Sequence, residues 1–207
     1  MLFSSVGEKS PIPPREGTVP ASCIDLSDYY NNSLDYYPLI DEIPGKELTD
    51  IPRGLVEFGG IPFDVRGAIR LTGSKTAPYM LPLPMGVQGI QIGRRCQRLH
   101  FLHTVHHEFA EGRDYGAIVV VFDNGRNEAI RLRYGHHARD CYFSLPKPLE
   151  DPGSAAVWDA GQSFERGNPT LYRSTWENPN PNSEIIMIHY LSLNSAPNPI
   201  LFAITAE

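Results

Sequence analysis

The sequence has little cysteine, no long apolar run and no familiar catalytic signature, and each lack excludes something. Its three cysteines, Cys23, Cys96 and Cys141, are far apart and odd in number. With no CxxC pair they supply neither a zinc knuckle nor a redox motif. One disulfide is open to them, but separated free thiols are the simpler expectation. The longest apolar run, AIVVVF at 117–122, is far short of a membrane span. The opening MLFSSVGEKSPIPP has no basic stretch leading into a long apolar one, so no secretion signal is read and the compartment stays open. GxSxG is missing, as is HExxH, which leaves serine-hydrolase and helix-borne zinc-protease chemistry without support. Basic residues form no patch, and the net charge is −6, which argues against a nucleic-acid partner.

What is present suits a β protein. Hydrophobic residues make up 41% of the 207 and charged ones 20%, enough for a sizeable core in one soluble domain. Nineteen prolines and eighteen glycines fit many short strands and turns better than long helices. Pro11, Pro13, Pro14 and Pro20 mark residues 1–21 as an extended N-terminal arm, leaving 22–207 as the single domain. IDLSDYYNNSL, with its turn formers, reads as strand, turn and loop. In FDVRGAIRL (63–71) the alternation sets Phe63, Val65, Ile69 and Leu71 on one face and Asp64, Arg66 and Arg70 on the other. GAIVVVFDNGRNEAIRLRYG reads as two strands joined at Asp123, Asn124 and Gly125, residues that tolerate the positive φ of tight turns. SEIIMIHYLSL and PILFAITAE read as closing strands, the second buried on both faces. The fold expected is an all-β jelly-roll sandwich.

Four of the seven histidines lie in RLHFLHTVHHEFAEG, at 100, 103, 106 and 107. Strand alternation places His103 with Leu99, Phe101 and Val105, and His100 on the opposite face. HHEFAEGRDYG breaks the pattern and reads as a loop. His103, His106, His107 and Glu108 could be metal ligands, with His136 and His137 joining only if their loop reached the same end. Metal-binding double-stranded barrels use His-x-His followed by Glu, so that alternate side chains converge. This chain has His-x-x-His-His-Glu, whose parity does not converge, so no metal site is assigned. His103 is expected to be buried and hydrogen-bonded, and His106 and His107 to sit in an accessible loop.

Sugar sites stack a ring on an aromatic side chain and hold its hydroxyls with Arg, Asp, Asn or His. YGHHARDCYF (134–143) offers His136, His137, Arg139, Asp140 and Tyr142 just after a strand. LYRSTWENPNPNSE (171–184) offers Tyr172, Arg173, Trp176, Glu177 and Asn178, and the other tryptophan is Trp158. Both tryptophans also suit core or corner packing. Asp140, Asp159, Glu165 and Glu177 lie near aromatics and could form a glycosidase pair, but sequence does not say which carboxylates face each other.

The ordered series IDLSDYYNNSL, IPRGLVEFGGIPFDVRGAIRL, GIQIGRRCQRLHFLHTV, VVFDNG, IRLRYGHHARD and LYRSTWENPNP resembles uncharacterised β-sandwich domains of Planctomycetes and Verrucomicrobia. Those domains are often appended to larger extracytoplasmic proteins. They are similar to galactose-binding-like jelly rolls, including NPCBM-type carbohydrate-binding modules, and the resemblance spans about residues 22–207. It implies a non-catalytic module for an oligo- or polysaccharide, working through loops at one end or an open face. His136, His137, Arg139, Asp140, Trp158, Trp176 and Asn178 are the ligand-binding candidates. It implies no cofactor beyond the structural calcium such jelly rolls can carry, and no dense Asp/Asn run marks one here. Cys141, Tyr142 and Phe143 and the HHEFAEG loop depart from the family pattern. Two other classes stay open: a metal- or carboxylate-dependent sugar-active enzyme on the same sandwich, and an assembly module within a larger protein or complex.

Overall fold

The computed structural model describes residues 11–35, 51–75, 83–141, 147–160 and 169–207. These form twelve strands and no helix: β1 (Asn32–Ser33), β2 (Gly54–Phe58), β3 (Ile61–Val65), β4 (Gly67–Arg70), β5 (Gly86–Arg94), β6 (Arg98–His106), β7 (Asp114–Phe122), β8 (Asn127–Arg133), β9 (Ser154–Asp159), β10 (Thr170–Glu177), β11 (Ile185–Ser192) and β12 (Asn198–Ala206). A six-stranded sheet runs β1-β4-β12-β6-β10-β9, a four-stranded sheet runs β5-β11-β7-β8, and β2 and β3 form a hairpin. Every strand pairing is antiparallel.

The two larger sheets face each other across one apolar core. Leu99, Phe101 and Val105 of β6 and Leu201 and Ile204 of β12 meet Ile90, Ile118, Val120 and Ile188 of the smaller sheet there. The other face of the six-stranded sheet is covered as well. Leu102, Leu171, Ile200 and Phe202 pack with Phe58, Phe63 and Val65 of the β2–β3 hairpin and with Leu34 and Ile51. Double coverage explains why all nine residues of β12 are buried, as its unbroken apolar sequence predicts. The β7–β8 hairpin turns at Asp123–Arg126, where Gly125 takes a φ of 78°. All three cysteines are buried free thiols.

Three expectations are corrected. FDVRGAIRL is two strands broken at Arg66, and its polar face is not in water. Asp64, Arg66 and Arg70 are all at most 4% exposed. Burial is tolerable because Arg66 donates from Nε to Asp64 (3.0 Å), and from Nη2 to Asp25 (2.7 Å) and the Ser27 hydroxyl (2.8 Å). Residues 11–20 close over this cluster. Arg15 donates to Asp64 at 3.1 Å, and the Pro13 carbonyl accepts from Arg66 at 3.0 Å. Residues 24–31 contain no strand, only the short β1 following them. In the histidine stretch, β6 extends through His106, and β7 begins at Asp114, inside the segment read as loop.

Candidate site at one end of the sandwich

The register divides the seven sequence candidates between two ends. Along β10, Tyr172 pairs with His103 while Trp176 pairs with Leu99 and Glu177 with Arg98. Strands rise about 3.3 Å per residue, so these positions lie well apart. Trp176 and the buried Asn178 belong to the far end. Trp176 packs on the inter-sheet core. Asn178 donates to the Cys96 carbonyl (2.8 Å) and accepts from the Asn180 amide (2.8 Å), so its side chain ties one turn to another. Glu177 is there too, ion-paired with Arg98 at 2.8 Å.

His136, His137, Arg139, Asp140 and Trp158 share the near end. The backbone at 140–141 wedges between β6 and β10: Val105 bridges Asp140, the Cys141 amide donates to the Val105 carbonyl, and the Thr170 amide donates to the Cys141 carbonyl. Trp158, on the edge strand β9, sits opposite Leu171, the next residue along β10. It is half-buried against the outer core. Asp159 pairs with Thr170 on the same edge and is exposed. Tyr142, Phe143 and Glu165 lie outside the described residues.

The histidine-bearing loop after β6 arrives at this same end. Arg139, 1% exposed, pairs with Glu111 and donates to the carbonyl of Pro148 at 3.2 Å. Lys147 lies 3.6 Å from Glu111, and the Gly112 amide donates to the Tyr134 carbonyl. His136 and Glu150 are 3.0 Å apart. His106 and His107 stack with centroids 4.0 Å apart, both half-buried, and His107 takes a φ of 81°. The expected accessible loop position fails for His106, which ends the strand; His107 lies in the loop, partly exposed, with its ring resting on that of His106. Among the described residues no group of three His, Cys, Asp or Glu side chains is placed to hold a metal ion.

Glycine is required at one point of this junction. Gly135 has a φ of 79°, and a Cβ there would run into the carboxylate of Glu111. Gly135→Ala is expected to lower stability by about 2 kcal/mol, from left-handed backbone strain and displacement of the Glu111–Arg139 pair. Thermal melting checks it. A melting temperature matching the parent would show that the two loops are not locked together here.

Beneath the loops runs a buried polar chain that the sequence did not announce. His103 Nε2 is 2.8 Å from Ser174 Oγ, Ser174 Oγ is 2.7 Å from Ser154 Oγ, and Ser154 Oγ donates to Asp151 at 2.7 Å. The Asp151 carboxylate can only accept, as can the His137 carbonyl 3.3 Å from Ser174 Oγ. With Ser154 donating to Asp151, the one proton of Ser174 is divided between Ser154 Oγ and that carbonyl, and His103 Nε2–H is the donor to Ser174. Burial, with the nearby His137 second, pushes His103 down to about 3, so its ring is neutral. His137 is also held low, by burial first, and its Nδ1 accepts from the Arg133 amide at 2.9 Å. At the far end His100 spans Thr175 and Glu207, both at 2.9 Å, and is lowered by burial.

This chain is not built like a hydrolase triad. There the carboxylate orients the imidazole and the imidazole takes the serine's proton. Here the carboxylate is attached at the serine end, and the imidazole donates. Ser174 and His103 are 4% and 2% exposed, so neither presents its reactive atom to a ligand. Cys141 is buried with its thiol pushed well up by burial, which withholds the thiolate a nucleophile needs. What the end does offer outward is Glu108, Glu111, Glu150 and Asp159, with half-exposed His136 and Asp140 and the edge tryptophan.

No family model matches this chain, and no curated protein matches it either.

Proposed function

We propose that the protein is a non-catalytic carbohydrate-binding module of jelly-roll type, taking its ligand at the end where residues 106–113 meet residues 134–141 and 147–150. The observation that carries this reading is the junction itself. Two loops distant in sequence are clamped together by the Glu111–Arg139 pair, so the hydroxyl-binding groups above it are preorganised on a rigid sheet end. Preorganisation matters because sugars offer little apolar area, and ordering a floppy site would consume most of the gain. His136 and Asp140 supply hydrogen-bonding groups, Trp158 supplies a ring at the sheet edge, and Arg139 and His137 position the loop from below. The sealed His103–Ser174 pair favours binding over acyl-transfer chemistry. The resemblance to galactose-binding-like modules points the same way.

Affinity electrophoresis across neutral and acidic polysaccharides tests the reading. Retardation by at least one glycan is expected, with Trp158→Ala and Asp140→Asn each weakening it about tenfold, the loss of roughly one stacked or charge-assisted contact. Absence of retardation at millimolar ligand, or retardation indifferent to both substitutions, would remove the proposal.

A further inference from the structure

A second concave site lies away from this end, between the segment 13–19 and the β2–β3 hairpin. It is a cleft of about 270 Å³ with Pro13, Pro14, Val19, Leu55 and Val65 as its apolar lining and Glu16, Arg53, Asp64 and Arg66 as its charged lining. That volume falls just below the roughly 300–1,000 Å³ of clefts for drug-sized ligands, so one ring fits and a chain of rings does not.

Asp64 is the unusual group. It is 2% exposed, and its Oδ2 accepts from both Arg15 and Arg66. Its Oδ1 is buried with no hydrogen-bond partner. A carboxylate oxygen left so gives up its water hydrogen bonds without replacement. Its charge, however, is already opposed by two guanidinium groups at 3.1 and 3.0 Å. The missing partner is therefore a neutral donor rather than another cation. The walls add a second requirement, since prolines, valines and a leucine favour an apolar face.

We propose that this cleft binds a small neutral hydroxylated ring, a single pyranose or cyclitol, with one hydroxyl donating to Oδ1 of Asp64 and the ring's apolar face against the proline and leucine walls. Access to Oδ1 requires residues 13–19 to give slightly. Their connections to the sheet run through side chains, Arg15 to Asp64 and Arg66 to the Pro13 carbonyl, not through a strand ladder. The segment thus works as a strap that the ligand lifts and then rests against. The site is independent of the end-loop proposal, because it shares no residue with it.

The test is an amide-resolved NMR titration of the full chain with myo-inositol and, separately, methyl β-glucopyranoside. Saturable shifts are expected at Leu55, Asp64, Val65 and Arg66. Leu55 is 47% exposed, so Leu55→Glu leaves the core intact while placing a charge on the apolar wall. It is expected to weaken the binding about tenfold or more, and Trp158→Ala is expected to leave it unchanged. Absence of saturable shifts at these amides with both probes overturns the proposal. So do shifts that persist undiminished in Leu55→Glu, or that appear only at residues 134–141. The last result would support the end-loop site alone.

Discussion

Replacing Arg66 with methionine is expected to destabilise the protein by about 3–5 kcal/mol, the range for breaking a buried ion pair on one side. The side chain is 4% exposed and donates to Asp64, Asp25, Ser27 and the Pro13 carbonyl. Methionine fills much of the volume but leaves the Asp64 carboxylate, itself 2% exposed, with Arg15 as its ion partner. Arg66→Lys should recover only part of the loss, because a single ammonium cannot reproduce the guanidinium fork. The decisive comparison is the double variant Asp64→Leu/Arg66→Met. Removing both charges removes the stranded one, so the double variant should be more stable than Arg66→Met alone, and the cycle should show strong positive coupling. Urea melts of the four proteins measure this. Additive losses would mean that the two groups do not act as a pair.

Acid is expected to unfold the protein in a window set by His103. The ring is neutral in the fold, pushed down to about 3 by burial, against an ordinary value of 6.5. The unfolded chain therefore binds the proton more readily, and stability falls as pH drops below 6.5 and levels off only near 3. Over that window this one group removes on the order of 4 kcal/mol. His100 and His137, lowered in the same direction, act with it. Asp25 and Glu207, lowered in the fold by hydrogen bonds, lose their contribution as pH falls through their folded values and steepen the acid limb. His103→Gln keeps a polar side chain of similar reach for Ser174 but does not titrate. Its melting temperature should depend much less on pH between 6 and 4 than the parent's, even if it melts lower at pH 7. A parallel pair of curves would show that His103 is not the group responsible.

Parts of this were legible in the sequence because they are local. The β7–β8 hairpin needs only alternating apolar residues around Asp123, Asn124 and Gly125, and β12 only an unbroken apolar run. The burial of His103 followed from its parity with Phe101 and Val105. The error at 63–71 was of another kind. One unbroken alternation would set Phe63, Val65, Ile69 and Leu71 on a single face, but the break at Arg66 sends Phe63 and Val65 to the outer cluster and Ile69 and Leu71 between the sheets. The charges of Asp64 and Arg66 are answered by Asp25 and Arg15, whose pairing no window around 63–71 contains. The candidate site shows the same limit. Trp176 and Asn178 look like partners for His136 by residue type, yet the register of β10 on β6 sends them to the far end. Ser154, Ser174 and Asp151 carry no signal individually, and their chain exists only once β9 lies beside β10.

The position of β12 also bears on how the chain comes together in time. It occupies the middle of the larger sheet, between β4 and β6, yet every other strand precedes it in sequence. Its partners are remote, Arg70 with Ile200 and His103 with Leu201, so the central ladder closes very large loops. Contacts of that kind give slow folding, since loop entropy is lost before pairing repays it. During synthesis, β4 and β6 emerge with the edges meant for β12 still bare. They stay open to mispairing until residues 198–206 leave the ribosome.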